Sequence, residues 1–275
     1  MENMRERLTE AKRIVVKVGT STLTYETGKV NFTRIDRLVR VISDLVNQGR
    51  EVVLVTSGAI GVGVGKLNLP EKPKTIGEKQ AVAAVGQCEL MHIYSKFFAE
   101  YGHVVGQILL TRDVVEDDHR RENVTNTFEN LLKRAIIPIV NENDSVSIEE
   151  IKNINNFGDN DTLSAVVSEV VQADLLIILS DIDGLYDCDP RENESSKLIS
   201  VIHEITADIE ACAGGAGSSR GTGGMATKIS AARISAAAGV DMVICNGSNP
   251  DIIMDIVEGK EVGSLFIAKK GYTTL

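Results

Sequence analysis

The run LLIILSDIDG, residues 175–184, decides the fold. Five apolar residues, Leu175 to Leu179, stand without alternation before Ser180, Asp181 and an Asp183-Gly184 turn. A strand with one wet face would alternate, so a continuous run suits a strand covered on both faces by helices. Runs of the same kind recur at Ile14 to Val18, Val52 to Thr56, Val104 to Leu110, Ile136 to Val140 and Met242 to Cys245. Between them lie helical patterns at Thr33 to Asn47, Glu78 to Tyr101, Val124 to Arg134, Thr162 to Gln172 and Ala226 to Ala238. Gly49, Gly102 and Gly239 supply stop signals. This alternation predicts an α/β protein, a three-layer α/β/α sandwich around a mostly parallel, doubly wound sheet.

The chain has 275 residues, enough for a sizeable core. Neither a repeat nor a Pro/Ser-rich linker divides it, so one domain over 1–275 is expected, with two lobes of about 1–150 and 151–275 meeting where polar residues crowd between Ile148 and Asn156. A net charge of −10, from 29 basic and 39 acidic side chains, argues against nonspecific binding to nucleic acid or an anionic membrane. The four cysteines form no C-x-x-C pair and the four histidines no metal-ligand spacing, so no protein-held metal is expected. MENMRERLTEAKR has no apolar secretion core, and no run reaches the ~18 apolar residues of a membrane span. A cytoplasmic protein with reduced cysteines is the expectation.

In open sheets, ligands bind beyond the C-terminal ends of the strands, so the loops there carry the functional reading. KVGTS places Lys17 inside an apolar run, either as an edge-strand lysine or as a lysine aimed at phosphate. VTSGAIGVGVG offers backbone N–H groups to an anion but lacks the dinucleotide spacing, and its later glycines equally suit tight packing of a helix on the sheet. NENDS, from Asn141 to Ser145, and FGDND, from Phe157 to Asp161, have the residues of turns and helix caps, and also of a pocket for a small zwitterion. The aspartates after Ser180 miss calcium-loop spacing and read better as a nucleotide contact. GTGGMATK fails the Walker pattern, because Met225, Ala226 and Thr227 separate glycine from lysine. Lys228 instead stands one helical turn in, where it and Lys17 could clamp a transferring phosphoryl group.

Taken in order, VVKVGTS, VTSGAIGVG, QAVAAVGQ, PIVNENDSV, GDNDTLSA, DIDGLYDCDPR, GTGGMATK and EVGSLF resemble the amino acid kinase family, and within it the members that phosphorylate L-glutamate. NENDSV with GDND and GTGGM makes the resemblance specific. It implies that Lys17 and Lys228 hold the transferred phosphate and that Asp161 positions them. It further implies that Ser57, Asp144 and Asn160 bind glutamate and that Gly58, Ala59 and Asn141 line that pocket. Lys17, Ser180, Asp181, Thr222, Gly223, Gly224, Met225, Ala226, Thr227 and Lys228 fall to ATP, with Mg²⁺ carried by the nucleotide. The lobe of 1–150 would take the amino acid and that of 151–275 the nucleotide.

The resemblance also implies a homo-oligomer, feedback inhibition by L-proline at the glutamate pocket, and a place at the start of proline biosynthesis. An acyl phosphate product makes transient contact with glutamate-5-semialdehyde dehydrogenase chemically attractive. Many bacterial members continue into a PUA-type domain; this chain stops soon after Phe266, so that domain is not expected. A carboxylate acceptor is already ionised at neutral pH and needs no general base, so catalysis should consist of positioning and charge neutralisation. The glycine-rich loop Gly214 to Gly224 is expected to order over nucleotide as a lid. Competing expectations are a sister kinase acting on N-acetylglutamate, aspartate, carbamate or UMP, and a noncatalytic sensor. An acid at Asp144 favours an acceptor with a free ammonium group.

Overall fold

A computed structural model of the chain describes residues 4–25, 29–146, 159–188, 190, 193, 195–212 and 224–268. Its sheet is built from β1 (Arg13–Val18), β2 (Glu51–Thr56), β3 (Val105–Leu110), β4 (Ile137–Glu142), β5 (Leu175–Ser180), β6 (Val201–Ile202), β7 (Asp241–Asn246) and β8 (Ser264–Phe266). The order across the sheet is β3-β4-β2-β1-β5-β7-β8-β6. Every pairing is parallel except β7 with β8. The six strands expected from apolar runs all form. The two that sequence reading missed, β6 and β8, have two and three residues, too few to show a pattern.

Helices cover both faces, giving the three layers. The long ones are α2 (Phe32–Asn47), α4 (Ile76–Glu100), α6 (Asp118–Leu132), α7 (Asn160–Val170) and α9 (Met225–Ala237). Shorter ones are α1 (Thr20–Leu23), α3 (Ala59–Leu67), α5 (Arg112–Glu116), α8 (Ala207–Cys212) and α10 (Ile252–Val257), with a 3-10 turn at Glu6–Glu10. Alternate residues of β1 enter separate cores. Ile14, Val16 and Val18 pack with Leu38, Ile42 and Leu90 of α2 and α4, whereas Val15 packs with Phe128, Leu163 and Ala231 of α6, α7 and α9. Burial on both faces is the physical reason for unbroken apolar strands. Among the described residues, no helix is long and apolar enough to cross a membrane.

Two readings change. Lys17 is not an edge-strand lysine: β1 pairs β2 on one side and β5 on the other, in the middle of the sheet. Most of the glycine-rich stretch after β2 is itself helical, as α3, and its Gly63 serves helix-on-helix rather than helix-on-sheet packing. A Cβ on Gly63 would overlap the Val82 carbonyl of α4, and one on Gly86 would overlap the Ala59 carbonyl and the Gly63 nitrogen of α3. Only glycine lets these backbones approach so closely. Helix α6 also starts earlier than its apolar residues suggest, because the Asp117 carboxylate accepts from Arg120 N at 2.9 Å and caps it.

The chain's two ends are tied together. Arg5, 3% exposed, donates from Nη1 to Val262 O (2.7 Å) and from Nη2 to Ser200 O and Gly263 O (both 2.9 Å). The polar segment expected to separate two lobes, Ile148 to Asn156, lies outside the described residues.

Substituting Gly86→Ala should cost about 1–3 kcal/mol or more by overpacking. Gly77→Ala in the same helix, where a Cβ meets nothing within 4 Å, should add about 0.5–1 kcal/mol instead. Urea unfolding of the two variants beside the parent checks both signs.

Candidate active site

The alternation that buries Val15 also directs Lys17, two residues on, to the face covered by α7 and α9. There it meets a carboxylate. Asp161, second residue of α7 and 1% exposed, lies 2.6 Å through Oδ1 from Lys17 Nζ and 3.1 Å through Oδ2 from Lys228 Nζ. Thr227 Oγ1 donates to the same Oδ2 at 2.9 Å. Burial alone would raise the Asp161 carboxyl, but Lys17 and Lys228 outweigh it and hold it at about 2. Two ammonium groups share one carboxylate, so the cluster carries a net +1 at the C-terminal edge of the sheet. That is the setting for an anion.

Residue 160, immediately before, turns to a second cluster. Asn160 Nδ2 lies 2.9 Å from Thr56 O, 2.7 Å from Ser57 Oγ and 3.2 Å from Asn141 Oδ1. Asn141, 2% exposed, accepts from Glu142 N at 2.9 Å and donates to Gln87 Oε1 at 2.9 Å. Asp159 acts as the N-cap of α7, its Oδ1 accepting from Asp161 N (2.7 Å) and Thr162 N (2.9 Å). The cap fixes the first turn of α7, so Asn160 and Asp161 are held side by side with their side chains engaged in different clusters.

Gly58 precedes α3 in a left-handed conformation (φ 97°), and Ala59 starts the helix, 3% exposed. Ser57 N donates to Val18 O at 3.1 Å, tying this loop to the end of β1. In the turn after β4, Asn143 does the turn-making, accepting from Ser145 Oγ at 2.6 Å. Asp144 is half-buried and has no partner among the described residues, and burial pushes its carboxyl up. A partly desolvated acid of this kind suits an ammonium ligand.

Ser180 ends β5, 8% exposed, and donates to the exposed Asp181 at 3.2 Å. Gly224 is the N-cap of α9, with no side-chain cap among the described residues, and Met225 and Ala226 follow in the first turn, whose backbone N–H groups point the way an anionic ligand would need. Thr227 faces inward, its hydroxyl engaged by Asp161 and Gly224 O. Thr222, Gly223 and the expected lid from Gly214 lie outside the described residues. The cap at Asp159 falls in FGDND, where cap residues are expected. Sequence reasoning gave Gln87 no role: it closes the QAVAAVGQ run, but nothing local sets its glutamine apart.

The amino acid kinase family model matches residues 12–246. Glutamate 5-kinase of Clostridium perfringens is 66% identical over 268 residues, covering 98% of this chain and 100% of the relative. Glutamate 5-kinase of Listeria innocua is 59% identical over 267 residues, covering 97% of each. Among solved structures, UMP kinase from Bacillus anthracis shares the fold at TM-score 0.64 and 16% identity, over 94% of this chain and 97% of that one. Carbamate kinase from Giardia lamblia bound to AMP-PNP does so at 0.65 and 15%, over 94% and 99%.

Because the Asp161 carboxyl sits at about 2, below an unfolded value near ~3.9, its stabilisation is present above the unfolded value and is lost as pH falls toward the folded one. The ionised form should contribute about 2–3 kcal/mol at neutral pH. Asp161→Asn, which leaves two buried ammonium groups without an anion, should cost about 3 kcal/mol or more at pH 7. Urea unfolding of both proteins between about pH 7 and about pH 2 checks this, the gap narrowing on the acid side.

Proposed function

The chain belongs to the amino acid kinase family, and on that premise we propose that it transfers the γ-phosphoryl group of ATP to the γ-carboxylate of L-glutamate. The products are ADP and L-glutamyl 5-phosphate, and the reaction opens proline biosynthesis from glutamate. The observation that carries the reading is the adjacency of Asn160 and Asp161. One holds the Ser57–Asn141 cluster and the other the Lys17–Lys228 pair, so an acceptor pocket and a phosphoryl clamp share one turn of helix.

In this reading Asp144 takes the ammonium group of glutamate, while Ser57, Asn160 and Asn141 orient its carboxylates beside Gly58 and Ala59. The attacking γ-carboxylate needs no base; the obstacle is that an anion must approach a polyanion. Lys17 and Lys228 reduce that repulsion and hold the phosphoryl group in line, and Asp161 fixes where the two ammonium groups stand. The uncapped first turn of α9 and Ser180–Asp181 fit the nucleotide, and a Cβ on Gly19 would sit 3.6 Å from Lys17 Nζ, so glycine there keeps the approach to that lysine open. In this reading Mg²⁺ would come with the nucleotide and would shield phosphate charge.

The same reading assigns residues 1–150 to the amino acid and 151–275 to the nucleotide, and adds a homo-oligomer, a cytoplasmic setting, L-proline as inhibitor at the acceptor pocket and passage of the acyl phosphate to glutamate-5-semialdehyde dehydrogenase. A sister kinase for N-acetylglutamate or UMP is disfavoured by the acid at Asp144, unpaired among the described residues, which suits neither an amide nor a phosphate. A silent sensor has no use for a buried two-lysine clamp.

ADP release with MgATP and hydroxylamine, which traps an acyl phosphate as hydroxamate, should appear with L-glutamate and not with N-acetyl-L-glutamate, L-aspartate or UMP. Lys17→Ala and Lys228→Ala should each lower kcat by about 10²-fold or more. Asp144→Asn should raise KM for glutamate about tenfold or more while leaving KM for ATP in place. Turnover of another acceptor in preference to glutamate would overturn the assignment.

A further inference from the structure

Gln87 stands on α4, outside every loop from which the site was read. It is 8% exposed, and the residue before it, Gly86, lies against the Ala59 carbonyl, which pins this turn of α4 to the Ser57–Gly58–Ala59 loop. Its amide orientation follows from a chain of obligations. Glu142 N is a backbone donor, so the atom of Asn141 that meets it at 2.9 Å has to be Oδ1. Asn141 Nδ2 is then a donor, and the Gln87 atom 2.9 Å from it has to be Oε1. That leaves Gln87 Nε2, a buried donor with no partner among the described residues. Burying an amide N–H group unmade costs about 1–3 kcal/mol, and native structures keep few such groups without a use.

We propose that Gln87 is a further acceptor-binding residue, its Nε2 donating to a carboxylate oxygen of bound glutamate while its Oε1 orients Asn141. The proposal rests on the reading of the site as a glutamate pocket. It gives the residue two separable jobs. Orientation of Asn141 needs only an oxygen acceptor; recognition of the substrate carboxylate needs the N–H. A site built to donate to a substrate oxygen discriminates strongly, since an acceptor that lacks that oxygen leaves the buried donor unpaired.

Gln87→Glu separates the jobs, because it keeps an oxygen for Asn141 Nδ2 and replaces the donor by a second oxygen. Hydroxamate assays over a glutamate titration should give a KM for glutamate raised about tenfold or more, with KM for ATP changed by less than about twofold. The defect should shrink from about pH 9 to about pH 6, as the buried carboxyl takes up a proton and regains a donor. A Gln87→Glu enzyme whose KM for glutamate stays within about twofold of the parent's at both ends of that range would overturn the proposal and leave Gln87 an orienting residue only.

A second measurement uses the unaltered protein, labelled with ¹⁵N at glutamine. Saturating glutamate should move the Gln87 side-chain amide signal, identified by its loss in Gln87→Glu or Gln87→Met; a signal that stays in place overturns the proposal. The parent's own turnover keeps the two levels apart. A parent that makes no hydroxamate from glutamate removes the acceptor reading and Gln87 with it, whereas an active parent with an indifferent Gln87→Glu removes Gln87 alone.

Discussion

One carboxylate shared by two ammonium groups organises the molecule. Lys17 comes from the middle of the sheet, Lys228 from α9 and Asp161 from α7, so three elements remote in sequence must come together to complete the cluster. Desolvating such groups is expensive, and a buried ion cluster is a poor source of stability beside apolar residues of the same volume. Its presence on an otherwise apolar face is therefore better explained by what the surplus positive charge does than by what it holds together. The apolar strands on either side supply the stability; the triad spends part of it to keep two cations apart at a set spacing.

Much of this was legible in the sequence because the physics is local. Unbroken apolar runs between helical patterns report burial on both faces, and all six such runs became strands. Lys17 was visible as a charge in one of them, but its direction came only with the topology, which put β1 at the sheet's centre. Elements of two or three residues such as β6 and β8 have no period to read, and their pairing depends on neighbours far along the chain. The glycines of α3 read as close-packing residues, but sequence does not say which element they approach: Gly63 meets a neighbouring helix and not the sheet. Gln87 carried no signal, since its meaning lies in a hydrogen-bond chain through Asn141 and Glu142.

The site divides its labour along α7. A cap on Asp159 settles the helix start, the next residue serves the amide cluster and the one after it serves the lysines. Coupling acceptor and donor through consecutive residues of one rigid turn limits the positional error between them to the stiffness of a helix backbone. For a reaction whose catalysis is mostly positioning, that is where precision has value.

The Arg5 clamp bears on how the chain is made. Its guanidinium leaves the ribosome early, while its partner carbonyl at Gly263 follows 258 residues later. At synthesis rates of about 5–20 residues per second that interval is roughly 10–50 s. For that time Arg5 lacks this acceptor, and β8, which joins β7 to the outermost strand β6, is not in place. Completion of this side of the sheet therefore waits on residues made long after the arginine that fastens them.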